Sequence, residues 1–163
     1  MKKWLMKKQY LFFLLLPFIA FGQSLSSDKN AVVQSSFRMA TTNPADGSDP
    51  SKALITIQYS DGIGRPLQSV GYQQNPSQQD ISLSTTAYDA FGRPISTALP
   101  SPAGLATGGF QVNALANANT FYGDNRSFTE ITAFDNSPLN RPREQYGAGQ
   151  SWKTAASDFI KKL

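Results

Sequence analysis

The chain has no cysteine and no histidine among its 163 residues. Without cysteine there is no disulfide framework, no thiol nucleophile and no lipid attachment through an N-terminal cysteine. Without histidine, Ser-His-Asp and Cys-His systems, imidazole general bases and ordinary zinc sites are also excluded. Charge is sparse too, at 16% of residues, with a formal net charge of +4 and a pI near 9.4. Lys2, Lys3, Lys7 and Lys8 account for that whole excess, and from Gln23 onward basic and acidic residues balance. A neutral remainder gives no electrostatic footprint for nucleic acid.

Those four lysines precede an apolar run from Leu11 to Phe21, with Ala20-Phe21-Gly22 before Gln23. A basic start, a short apolar segment and small residues at −3 and −1 form the pattern of a secretory signal peptide, cleaved between Gly22 and Gln23. The run is shorter than the roughly 20 residues that span a bilayer, and Pro17 interrupts it. Residues 1–22 therefore read as a signal-peptide helix that leaves no stable membrane anchor. Its export across the inner membrane leaves periplasm, cell surface and medium open.

What the chain does have is a repeat. Tyr88-Asp89-Ala90-Phe91-Gly92-Arg93-Pro94 is preceded by Tyr59-Ser60-Asp61-Gly62-Ile63-Gly64-Arg65-Pro66. A looser copy follows at Phe134-Asp135-Asn136-Ser137-Pro138-Leu139-Asn140-Arg141-Pro142. An aromatic, an Asp, a short gap and then Gly-Arg-Pro or Asn-Arg-Pro is common to all three. In the first two copies Asp and Gly stand at i and i+3 of a type I turn, where the carboxylate can accept turn amides. Gly64, Gly92 and Asn140 are residue types that tolerate positive φ. The β-branched stretches 53–58, 81–87 and 128–133 read as strands entering these corners, and Pro66, Pro94 and Pro142 as starts of the returning strands. The unit is strand, turn, strand, and the fold class is mainly β: an antiparallel hairpin-repeat sheet.

Around the hairpins, residues 23–52 read as mostly irregular, with one possible strand over 31–41 in which Val33, Phe37 and Met39 share a face. Residues 43–50 read as a loop and 75–80 as the link between the first two hairpins. The hairpin domain spans 53–152. Arg93 and Arg141 stand further apart than Arg65 and Arg93, and the surplus falls in 101–120, read as a loop insertion. The tail 153–163 reads as a short helix, from Ala155, Phe159 and Leu163 at helical spacing.

The candidates for chemistry are weak beside the turn reading. Asp61 and Asp89, at equivalent corners, would be the carboxylate pair of a glycosidase, with Glu130, Asp135 and Glu144 as further acid–base groups. The bland reading is that each Asp organises its own turn. Arg65, Arg93 and Arg141 suit an acidic ligand, or else pack their stems on the aromatic two strands away or pair with an adjacent Asp or Glu. A calcium site at the corners would use Asp and carbonyl oxygens, but no dense Asp-x-Asp run is present. Gly62-Ile63-Gly64 lacks the Lys-Ser/Thr of a phosphate loop. Asn125-Arg126-Ser127 reads as a chance sequon. Tyr59, Tyr72, Tyr88, Phe91, Phe110, Phe121, Tyr122, Phe128 and Phe134 read as sheet-face packing, or as a sugar- or peptide-binding platform.

The corner motif resembles the YD repeat of the RHS family, centred on Tyr-Asp-x-x-Gly-Arg. Four segments in order (Tyr59–Pro66, Tyr88–Pro94, Ser137–Arg141 and Gly147–Trp152) are similar to the N-terminal domain of secreted RHS proteins of Gram-negative bacteria. Members of that family carry long repeat arrays that coil into a hollow β-shell around a C-terminal effector, often a toxin. Array and effector are absent from these 163 residues, as in a truncated member. The resemblance implies a non-enzymatic, secreted structural module without cofactors, the N-terminal cap or plug of such a shell. Its partner would be the remainder of the shell or a separate RHS chain. The alternative is a stand-alone carbohydrate- or surface-binding β-module.

Overall fold

In a computed structural model of the protein, residues 25–153 and the strand Ile160–Lys161 are described. The signal segment 1–22, with its cleavage position at Gly22 and Gln23, lies outside them, as do the side chains of the tail. Among the described residues, nine strands form one antiparallel sheet with a single short α-helix. The strands are β1 (Asn30–Phe37), β2 (Ala53–Ser60), β3 (Pro66–Tyr72), β4 (Ile81–Tyr88), β5 (Pro94–Ala98), β6 (Ser101–Pro102), β7 (Phe128–Phe134), β8 (Pro142–Tyr146) and β9 (Ile160–Lys161). Their order across the sheet is β1-β2-β3-β4-β5-β7-β8-β9, and β6 pairs with β4 beyond the end of β5.

The core lies under the first hairpin, where period-2 alternation is strict. Ala53, Ile55, Ile57 and Tyr59 of β2 all point to one face and are buried, joined by Val70 and Tyr72 of β3. Each fully buried Ile or Val contributes about 1.5–3 kcal/mol relative to exposure. Loop 103–112 closes this face. Phe110 meets Tyr59 edge-on at 5.6 Å, and the Tyr59 hydroxyl donates to the Gly108 carbonyl at 2.7 Å. The aromatic residues therefore divide, with Tyr59 and Tyr72 in the core and Phe91, Phe121 and Tyr122 exposed.

Three expectations need correcting. The first strand stops at Phe37 and excludes Met39, although Val33 and Phe37 do share a face, that of their cross-strand partners Ile57 and Ala53. Thr41, Asn43 and Asp46 bond one another there, and a 3-10 turn at Pro44–Ser48 takes over within the expected loop. The expected loop 101–120 holds β6 and most of helix α1 (Ala114–Tyr122). Asn is a poor helix former, but Ala114 and Ala118, at i and i+4, are buried against the sheet. Gly123 ends the helix in the left-handed conformation with φ 63°. In the tail, Ile160–Lys161 is strand rather than helix, because the open edge of β8 offers backbone partners at Glu144 and Gln145. An isolated helix of that length has little stability of its own.

Candidate functional site

The three corners are the built feature of the molecule. In the first, the Asp61 backbone amide donates to the Arg65 carbonyl at 3.0 Å and the Gly64 amide to the Asp61 carbonyl at 3.1 Å. Asp61 Oδ1 accepts the amides of Ile63 and Arg65, while Oδ2 accepts Arg65 Nε at 2.6 Å. The second corner repeats every bond: Asp89 Oδ1 takes the amides of Phe91 and Arg93, and Oδ2 takes Arg93 Nε at 2.7 Å. The third is two residues wider. Asp135 still accepts the Arg141 amide and Nε, both at 2.9 Å, while Ser137 bridges the extra length by donating to Asp135 and accepting from Leu139. Gly64, Gly92 and Asn140 have φ of 85°, 78° and 48°, as the turn requires. A register shift between Tyr59 and Ser60, Ala87 and Tyr88, and Ala133 and Phe134 marks the bulge entering each corner.

These bonds set the charge state. Partial burial raises the Asp61 and Asp89 carboxyls, but the hydrogen bonds from Arg65 and Ile63, and from Arg93 and Phe91, outweigh it and hold both below the usual range. At Asp135 the Arg141 and Ser137 side chains dominate and lower the carboxyl to about 2. Each corner is thus an internally neutral ion pair at neutral pH.

Each arginine then reaches its neighbour. The Arg65 guanidinium lies over the Tyr88 ring at 4.8 Å, and the Tyr88 hydroxyl returns a bond to the Pro66 carbonyl at 2.7 Å. Arg93 lies over the Phe134 ring at 4.1 Å and donates through Nη1 to Asn140 Oδ1 at 3.0 Å. Gly92 is required twice, because a Cβ there would sit 2.5 Å from Arg65 Nη1. Every corner arginine is clamped by its own aspartate, and the first two also dock on the next corner's aromatic.

The structure places Tyr59, Asp61, Gly64 and Arg65 at the first hairpin corner, Tyr88, Asp89, Gly92 and Arg93 at the second, and Phe134, Asp135, Asn140 and Arg141 at the third. Asp61 and Asp89 each turn into their own corner and bond their own arginine. A carboxylate held ionised in this way is a poor proton donor. Beside the first corner, a cleft of about 420 Å³ holds Asp28, Lys29 and Asp61, but Lys29 pairs with Asp28, and Asp61 with Arg65. Among the described residues no cluster of three or more Asp or Glu could hold a metal ion, and no helix is long and apolar enough to cross a membrane.

Sequence reasoning missed three buried polar anchors. Asp80, in the supposed link, is fully buried and accepts the amides of Gln73, Thr107 and Gly108, pinning the loop that covers the core. Gln68 is buried against Gln111, exchanging bonds with its amide and carbonyl. Arg126, inside the sequon, donates to the Gly147 and Gly149 carbonyls and to Glu130, which Lys153 also contacts at 2.6 Å. The Lys153 hydrogen bond leads in lowering the Glu130 carboxyl, against burial and with help from Arg126. Arg126 thereby ties 147–153 to the sheet. An isolated Asp among polar residues carries no periodic signal, and none of the three would have been found that way.

The family described as Domain of unknown function (DUF6443) matches residues 33–162, covering all three corners and the 147–152 segment. The chain belongs to the DUF6443 family. No curated protein and no solved structure matches it. In this DUF6443 chain the corners make two predictions. Gly92→Val should lower stability by about 1–3 kcal/mol through positive φ and the clash with Arg65, whereas exposed Ala90→Val should change it by less than about 0.5 kcal/mol, both read by denaturant melts. For Asp135 the folded carboxyl lies below its unfolded value of 3.8. Its stabilisation is therefore fully present above that value and lost as pH falls toward about 2. Acid titration of Asp135→Asn should show a shallower loss of stability across that window than the parent chain.

Proposed function

We propose that this DUF6443 chain is a non-catalytic structural module of an exported hairpin-repeat protein, the N-terminal cap or plug of an RHS-type β-shell. The observation that carries the reading is the corner ladder. Three hairpins of one grammar are joined arginine to aromatic, and a device that links each unit to the next is what an extended repeat wall needs. The Tyr-Asp-x-x-Gly-Arg resemblance agrees with this, and the basic and apolar segment before Gln23 supports export. The charge balance from Gln23 onward favours a protein partner, the rest of the shell or a separate repeat chain, over nucleic acid.

The first edge of the sheet supports the same view. β1 has no Pro and no charged residue along its eight positions, and none of the described residues pairs with its outer side. Such an edge invites pairing with another strand. A second reading, a stand-alone surface-binding module, is favoured by the corner tips, where Ile63, Phe91 and Leu139 stand at equivalent positions and are 78%, 84% and 73% exposed.

Sedimentation and melting separate the two readings. As a detached wall segment, the chain should self-associate at micromolar concentration. Val32→Lys, on the exposed edge strand, should reduce that association while leaving the melting temperature of the monomer nearly unchanged. A chain that stays monomeric, melts as one unit and is stabilised by a glycan or surface extract would replace this reading with the surface-binding one.

A further inference from the structure

The ladder has an unfilled rung at its far end. Arg65 and Arg93, each clamped by its own aspartate and covered by the next aromatic, have side chains 37% and 27% exposed. Arg141 has the same clamp to Asp135, yet its side chain is 68% exposed and no aromatic ring covers it among the described residues. We infer that Arg141 and the Pro142 carbonyl form the docking site for one further hairpin corner, beginning with Tyr-Asp and paired alongside β8. The inference rests on the structural reading above and names its partner.

The chemistry of the missing piece follows from the filled rungs. An aromatic ring must lie under the guanidinium, as Tyr88 does 4.8 Å from Arg65 and Phe134 4.1 Å from Arg93. The Tyr88 hydroxyl bonds the Pro66 carbonyl, so tyrosine at the new corner would find Pro142 in the equivalent place. The residue opposite Arg141 would need Gly or Asn, because Arg65 sits where a Gly92 Cβ would be and Arg93 bonds Asn140. A second copy of this chain does not supply the piece. Its Tyr59 is fully buried and bonded to Gly108, and its Tyr88 and Phe134 are already covered by Arg65 and Arg93.

Register says where the corner enters. In the first rung Gln68, three residues after Arg65, pairs with Thr85, three before Tyr88. In the second, Ser96, three after Arg93, pairs with Glu130, four before Phe134. On β8, Glu144, three after Arg141, pairs with Lys161. The same offsets place the docking tyrosine one or two positions past Leu163. β9 is then the rising strand of the next hairpin, running toward Arg141 as β4 runs toward Arg65.

The test extends the full chain after Leu163 with a copy of its own Tyr88–Ala98, and separately with Ala87–Ala98 to cover both offsets. One of the two should raise the melting temperature by roughly 3–5 °C. That gain should vanish both with Tyr88→Ala in the added copy and with Arg141→Lys in the host, and combining the two should cost no more than either alone. Arg141→Lys loses the Nε bond to Asp135 with or without the extension, so the gain is read against the unextended Arg141→Lys chain, which should stay folded because that ion pair is exposed. No gain from either extension, or a gain that survives Arg141→Lys, would overturn the site. If the extended chain still self-associates through β1, only the Arg141 site has failed. If the chain is also monomeric and stabilised by a glycan, the structural reading fails with it.

Discussion

The structure depends on one interaction used three times: an aspartate that closes its own turn and holds its own arginine at Nε. With Oδ1 committed to backbone amides and Oδ2 to the guanidinium, the arginine is fixed in direction before it meets anything else. A fixed, flat, half-desolvated cation then docks on the next corner's ring with little further loss of side-chain freedom. This explains why Asp, Gly and Arg recur together. The aspartate aims the arginine, the positive-φ residue gives the turn its shape, and at Gly92 the missing Cβ also leaves room for the neighbouring guanidinium.

Coupling of this kind gives the sheet its two halves. Under the first hairpin a small apolar cluster is sealed by loop 103–112, which Asp80 and Gln68 anchor from below. Beyond β4 few side chains are fully buried. There the corner ladder and the Arg126–Glu130–Lys153 group carry the connections between strands. A modest core with repeated lateral clamps is the feature on which the proposed role in a longer wall rests.

The corners were legible because their constraint is local. Asp61, Asp89 and Asp135 act within six residues of their partners, and positive φ leaves its mark as Gly or Asn. The strands into and out of them followed from β-branched alternation and from Pro66, Pro94 and Pro142. Asp80 was not legible, since its partners at Thr107 and Gly108 lie far along the chain. Helix α1 was hidden by Asn-rich composition, and only two buried alanines decide it. The tail misled because helical spacing at 155, 159 and 163 competes with a free strand edge, and at Ile160–Lys161 the edge wins.

The most direct test of the ladder is a double-mutant cycle on its tightest rung, Arg93 and Phe134, using Arg93→Met, Phe134→Leu and the combined variant in chemical denaturation. Loss of the Asp89 clamp is common to both arms that carry Arg93→Met and cancels. The account predicts a coupling of about 1 kcal/mol, the double variant losing less than the two single losses together. Strict additivity would mean that the ring and the guanidinium are neighbours without being partners, and the corner-to-corner account would be wrong.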